Sequence, residues 1–276
     1  MKNSVLYIVV LICLALFSCK TDEKTNPVKK VVRKSPKAIV YNLQNTKDWM
    51  KVNKLDSLQQ DIVLAVNRTD ELHIKLLDSI VVPTDLSGDL VFYLPFPHEA
   101  PFLNDVDKII YFSYPTQTFA AYEKGVLVRT GPTNMGRKKD LTPIGLFFTN
   151  WKAETTNSTF NDEWELKWNF NIENKLGVGF HQYDLPGYPA SHSCLRLCEK
   201  DAQFLYNWAD EWILESDQKV MYKGTPVIVY GTYNFDAPKP WLQLIGDPKV
   251  LTISVEELEL QTQPFLKKIL AEQQKK

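Results

Sequence analysis

The chain has 276 residues, 44% of them hydrophobic, enough to bury a full core without covalent staples. Its 32 basic and 33 acidic side chains nearly cancel, leaving a net charge of -1 and no concentrated basic footprint, so nucleic acid is not an expected partner. Beyond residue 19 the only cysteines are Cys194 and Cys198, too few and too close together for a disulfide-stapled module.

In chain order, Lys2 is followed by an apolar run from Val5 to Phe17, then Ser18 and Cys19, the layout of a secretion signal. The run is shorter than the roughly 20 apolar residues of a permanent span. Its ending, Leu16-Phe17-Ser18-Cys19, resembles the box of the bacterial lipoprotein pathway, which implies cleavage before Cys19 and lipidation of its thiol. Residues 1–18 are thus expected to be a lipoprotein signal peptide, and 19–40 a lipidated anchor with a tether rich in Lys, Pro and Ser. The rest is expected outside the cytoplasm, on a membrane of the cell envelope and facing the periplasm.

Residues 41–106 read as a partly helical N-terminal extension. Trp49, Val52, Leu55, Leu58, Ile62 and Ala65 recur at three- and four-residue spacing and predict one helix over 48–65. A second helical patch is expected over 70–77 and an extended segment over 79–83. From residue 107 the pattern changes to short β-prone runs: 109–114, 118–122, 126–128, 145–149, 165–170 and 177–182, punctuated by Gly and Pro. Such a series favours an antiparallel sandwich or barrel-like body, mainly β, over alternating βαβ units. Helical spacing from Ala202 to Ile213 predicts a following helix, Pro226–Tyr230 a strand, and residues 233–276 a C-terminal extension with a strand over 250–255 and a helix from near Pro264.

Cys194 sits two residues after His192 and thirteen after His181, in a chain with four histidines. A neighbouring imidazole that takes the thiol proton makes a cysteine a nucleophile. Spacing alone leaves two readings open: a thiol–imidazole pair, or a small buried side chain beside a strand-end histidine. The histidines do not cluster as zinc ligands, so neither a metal nor a cofactor is expected, and His73 and His98 are assigned structural or surface positions. The segment 134–140 reads as a solvated, mobile connection. Trp151, Trp164 and Trp168 either contact sugar or fill the core.

The run Ser191-His192-Ser193-Cys194-Leu195-Arg196-Leu197 resembles the active-site signature of the L,D-transpeptidase (YkuD-like) catalytic domain. The likeness extends through Ala120–Gly125, Thr130-Gly131-Pro132, Thr142–Gly145, Gly179-Phe180-His181 and Gly224–Val227, in family order. It places the catalytic domain at 107–232. The resemblance implies Cys194 as nucleophile, His181 as general base and acid, and His192 as a site-shaping residue or alternative base. It also implies the backbone amides of Ser193 and Cys194 as oxyanion donors, with Ser191 and Arg196 on the substrate side. Arg196 either holds a substrate carboxylate or pairs with a local acid. The partners implied are peptidoglycan stem peptides as donor and acceptor; oligomeric state is not legible. The expected function is crosslink formation through a cysteine acyl-enzyme. The alternatives are an L,D-carboxypeptidase or crosslink-cleaving thiol hydrolase, and a noncatalytic cell-wall-binding lipoprotein. Ser193 stands where the family commonly has glycine, so a left-handed backbone there would strain the loop.

Overall fold

The computed structural model describes residues 32–158, 165–216 and 219–276. The expected signal, Cys19, most of the tether and Trp164 lie outside the described residues. Among the described residues, no helix is long and apolar enough to cross a membrane.

Strand β1 (Tyr41–Asn45) opens the fold, and helices α1 (Thr46–Val52) and α2 (Ser57–Val66) follow it, where the sequence predicts a single helix. Caps explain the break. The Asn45 side chain accepts the Asp48 amide to start α1, and Asp56 and Gln59 form a reciprocal capping box that starts α2. The apolar periodicity runs across the start of α2, and Leu58, counted within it, is 41% exposed. The helical patch expected over 70–77 consists of turns with one short 3-10 segment at Ile74–Leu76. Strand β2 (Ser79–Pro83) returns antiparallel to β1, and the buried Asn67 side chain ties α2 to it through Val63 and Val81. The extension is therefore mixed rather than simply helical.

Seven strands then follow: β3 (Lys108–Ser113), β4 (Thr118–Glu123), β5 (Val126–Pro132), β6 (Gly145–Phe148), β7 (Lys152–Asn157), β8 (Glu165–Glu173) and β9 (Val178–Gln182). After them come β10 (Leu195–Leu197), α3 (Glu199–Trp208), a hairpin of β11 (Ile213–Ser216) and β12 (Lys219–Tyr222), β13 (Pro226–Tyr230) and α4 (Val255–Gln273). A five-stranded sheet has the order β5-β4-β3-β13-β6, and a four-stranded sheet the order β10-β9-β8-β7. The fold is mainly β, with most neighbours antiparallel and two parallel pairs, β13 with β3 and β10 with β9.

Strand β3 is apolar at nearly every position because both of its faces are covered. Ile110 and Phe112 join Phe119, Phe170, Phe180, Leu195, Leu197 and Leu205 in the core between the two sheets and α3. Ile109 and Tyr111 turn to the opposite face, where Tyr122, Tyr230, Leu258 and Ile269 form a second core under α4. The hydroxyls of Tyr111 and Thr262 lie 2.7 Å apart and pin α4 to the sheet.

Three sequence expectations are corrected here. The strand expected over 250–255 is loop; α4 starts at Val255 on a Ser254 cap, and Pro264 lies inside the helix. The carbonyl that Pro264 leaves without its helical amide belongs to Leu260, a residue on the exposed face of α4. Helix α3 ends at Trp208, before Trp212 and Ile213, and Ile213 opens β11. Strand β7 went unread because Lys-Ala-Glu-Thr-Thr-Asn has no apolar alternation; it is held by pairing with β8.

Phe180 is fully buried, with ring centroids 6.1 Å from Phe112 and 5.3 Å from Phe170. Phe180→Ala is expected to cost about 3–5 kcal/mol in chemical denaturation. A loss below about 1 kcal/mol would contradict its place between the sheets.

Candidate active site

The geometry of the site follows from strand parity. In the parallel pairing of β10 with β9, Leu195, Arg196 and Leu197 lie beside Phe180, His181 and Gln182. Phe180, Leu195 and Leu197 belong to the core between the sheets. Alternate residues of a strand face opposite sides, so His181 and Arg196 face away from that core. One repeat earlier, Gly179 and Cys194 share that outward face. A cavity of about 340 Å3 opens there, and Ser191, His192, Ser193, Cys194, Arg196 and His181 all line it. The structure thus brings together every singled-out position except Cys19, which lies outside the described residues.

The segment 134–140, read from sequence as a mobile connection, is instead the frame of this loop. Thr133, Asn134, Met135 and Gly136 are buried. The amides of Asn134 and Arg196 each donate to the other's carbonyl, at 3.0 and 2.9 Å, the Ser191 amide donates to Met135, and the Arg137 amide donates to Ser191. The Asn134 side chain donates to the Tyr188 carbonyl and accepts the Ala190 amide. Behind it, the Tyr114 hydroxyl donates to the Gly136 carbonyl and Gln117 accepts the Met135 amide. Only Lys138 and Lys139 keep the exposure expected of a solvated loop.

The His181 ring is 3% exposed, and its Nδ1 lies 2.9 Å from the Gln182 carbonyl. A carbonyl only accepts, so Nδ1 carries the proton and Nε2 is the basic nitrogen. Burial lowers its pKa to about 4 against the pull of that hydrogen bond, with Arg196 adding to the lowering. Burial also pushes the half-buried Cys194 thiol up, while the Gly179 amide and Arg196 act in the opposite direction. The thiol sulfur lies 3.8 Å from the Gly177 carbonyl. Near neutral pH the resting pair is therefore uncharged. Cys198 is also a free thiol; it lies 3.1 Å from Asp201 at the start of α3 and does not line the cavity.

Arg196 places its guanidinium 4.5 Å from the centre of the Tyr183 ring, and among the ion pairs of the described residues none involves it. Burial lowers the His192 pKa, aided by Arg137 and opposed by Asp140, whose carboxylate lies 3.9 Å from Nε2. The Ser191 hydroxyl donates to the Cys194 carbonyl at 2.5 Å and fixes the turn between them. No loop or turn hydrogen bond of the described residues uses the amides of Ser193 or Cys194.

Ser193 has φ +80°, so the strain expected for a side chain at a glycine position is present. Gly179 is required for a different reason: a Cβ there would lie 2.6 Å from the Phe170 carbonyl oxygen. Trp151 lines the cavity, whereas Trp168 packs on the core against Tyr206. Asn134 and Asp140 were missed by sequence reasoning because their contacts join segments more than 50 residues apart, and Tyr183 because its ring meets Arg196 across the loop between β9 and β10; no local pattern announces them. Outside the cavity around Cys194, ligand atoms of Asp70, His73 and Asp184 lie within 4.8 Å of one another. Asp70 already accepts the amides of Leu72, His73 and Leu185 and pairs with the His73 ring, so it clamps the extension to the loop after β9.

Two outcomes follow from this geometry. Ser193→Gly is expected to stabilise the fold by about 1 kcal/mol, read as a raised denaturation midpoint; an unchanged or lowered midpoint contradicts strain at this residue. Because the folded state holds His181 near 4, the unfolded chain binds a proton that the folded one refuses as pH falls below about 6.5. Stability is thus fully present above that pH and declines by up to about 3 kcal/mol as pH drops to about 4. His181→Gln is expected to flatten this part of the stability–pH curve.

Residues 107–229 match the family model of the L,D-transpeptidase catalytic domain (YkuD). Among solved structures, the chain is similar to an L,D-transpeptidase from Stackebrandtia nassauensis, with 22% identity, 46% of this chain and 57% of that one covered, and a TM-score of 0.38. An L,D-transpeptidase from Mycobacterium smegmatis aligns at 20% identity over 46% of this chain and 59% of that one, with a TM-score of 0.36. One from Mycobacterium tuberculosis H37Rv aligns at 22% over 46% and 58%, with a TM-score of 0.35. The chain spans under three-fifths of the length of each of these. No curated protein matches it. The family likeness of this chain is thus to the L,D-transpeptidase catalytic domain, over residues 107–229.

Proposed function

We propose that this protein is a peptidoglycan L,D-transpeptidase that works through a thioester on Cys194. The observation that carries the reading is the shared outward face of β9 and β10, which sets the thiol and the basic imidazole nitrogen in the wall of one cavity. The match of residues 107–229 to the family model supports peptidoglycan stem peptides as the substrate class.

In the first half-reaction Sγ of Cys194 attacks the carbonyl of a diaminoacyl-type residue in the donor stem. Because thiol and imidazole both rest uncharged, the proton passes to Nε2 of His181 as the S–C bond forms, rather than beforehand. The carbonyl electrons move onto oxygen, where the amides of Ser193 and Cys194 are the donors best placed to receive the charge. Collapse breaks the C–N bond, and the departing D-amino acid takes the proton from His181. In the second half-reaction an amine of another stem attacks the thioester, its proton returns to the thiolate through His181, and the crosslink is released. Water in place of the amine shortens the stem instead. Arg196, unpaired with acid among the described residues and held against Tyr183, suits a carboxylate of the bound peptide. His192, beside Asp140, orients the loop.

The same reading places the chain in the bacterial envelope, anchored by a lipid on Cys19 and facing the periplasm. The Lys- and Pro-containing stretch before residue 41 would then be its tether.

Purified enzyme incubated with a defined tetrapeptide muropeptide tests the reaction by mass spectrometry. Crosslinked dimers are expected, and Cys194→Ala is expected to lower their formation by more than about a thousandfold. Cys198→Ala is expected to retain most of it. Shortened stems alone would assign hydrolysis instead, and turnover surviving in Cys194→Ala would remove the mechanism.

A further inference from the structure

A second cavity, of about 710 Å3, lies between the segment 35–41, the segment 91–98 and the stretch 244–255. It shares no lining residue with the cavity around Cys194. Its walls are largely apolar, with Phe92, Leu94, Phe96, Leu251 and Ile253 among them. Its size falls within the range of about 300–1,000 Å3 typical of small-molecule sites.

The polar groups in its wall are one-sided. Lys37, Arg68, His98 and Lys249 line it, as do Ser254 and Val255 at the amino end of the 19-residue α4, and no aspartate or glutamate does. Arg68 is 1% exposed. Its Nε donates to the Thr116 carbonyl at 2.7 Å, and its Nη1 donates to the carbonyls of Ala65 and Val66 at the end of α2. Among the described residues, Nη2 has no hydrogen-bond partner and no carboxylate pairs with the guanidinium. A buried cation without a counter-charge is costly, and here burial lowers its pKa to about 10. Tyr41, 3% exposed, lines the same cavity close enough to act on Arg68 electrostatically, and its hydroxyl likewise makes no hydrogen bond to a described residue. Burial raises the Tyr41 pKa to about 12, so the hydroxyl keeps its proton and offers a donor rather than a counter-charge.

We propose that this cavity is a ligand site for a small anionic amphiphile, whose acidic head accepts from Nη2 of Arg68 and the hydroxyl of Tyr41 while its apolar body lies along Phe92, Phe96 and Ile253. The head is a carboxylate or a phosphate monoester, since either takes two convergent donors. The two lysines favour the same sign of charge, whereas the positive end of the α4 dipole is already faced by Glu256 and Glu257 in its first turn. The proposal does not depend on the chemistry at Cys194.

Calorimetric titration of the full chain with octanoate, octyl phosphate and octanol tests it. Both anions are expected to bind at one site per chain, at least about tenfold more tightly than octanol, because charge-assisted bonds distinguish them. Tighter octanoate assigns a fatty-acid type of ligand, and tighter octyl phosphate a lipid with a phosphate-monoester head. Tyr41→Phe removes one oxygen that bonds no described residue. It is expected to leave the thermal midpoint in place and weaken anion binding about five- to tenfold. Arg68→Met should abolish the preference for anions over octanol, and Cys194→Ala should change nothing. Octanol binding as tightly as the anions, no binding at all, or anion affinities within twofold of wild type in Tyr41→Phe would overturn the assignment.

Discussion

The parallel pairing of β10 with β9 is the constraint on which the site depends. It is a short ladder of three residue pairs, yet it decides which side chains meet. Leu195 and Leu197 are drawn into the core with Phe180, and alternation then leaves no choice about where Arg196, His181 and Cys194 point. A slip of one residue would bury the thiol among the phenylalanines and turn the leucines to solvent. The geometry of the candidate site is thereby secured by hydrophobic burial on the opposite face of the same strands. The buried segment Thr133–Gly136 locks this register from the other edge through the mutual amide–carbonyl bonds of Asn134 and Arg196.

The same burial that sets the register also sets the electrostatics. A thiol and an imidazole held out of water both favour their neutral forms, and the directions of the shifts at Cys194 and His181 agree with this. A preformed thiolate–imidazolium pair needs stabilising charge or solvent, and the main positive charge near Cys194 is Arg196, which also disfavours a second cation at His181. The account therefore couples proton movement to bond formation. It also explains why the Gln182 carbonyl matters: by holding the proton on Nδ1 it leaves Nε2 ready as a base. Strain at Ser193 belongs to the same loop, since the left-handed turn there presents Cys194 at the start of its strand.

Much of this was legible in the sequence. The β-rich body declared itself through apolar runs bounded by Gly and Pro, because β3, β4 and β13 are covered on both faces. The histidines and Cys194 were legible through a motif resemblance, and the strain at Ser193 through its departure from that motif. What escaped was whatever depends on distant partners. Asn134 and Met135 look like loop residues until Gln117, Tyr188 and Arg196 are placed around them. The break between α1 and α2 was present in the capping residues Asp56 and Gln59 but was overridden by an apolar spacing that continued through it. Strand β7 lacked any apolar signal, and the cavity beside Arg68 is assembled from three segments far apart in the chain.

The central claim is that Cys194 rests as a protonated thiol and gives up its proton only during attack. The rate of its alkylation by iodoacetamide as a function of pH, followed by peptide mass analysis, measures this directly. The account predicts a half-maximal rate above the ordinary thiol value of about 8.5. A rate already at its plateau near pH 6 would show a preformed thiolate and contradict it.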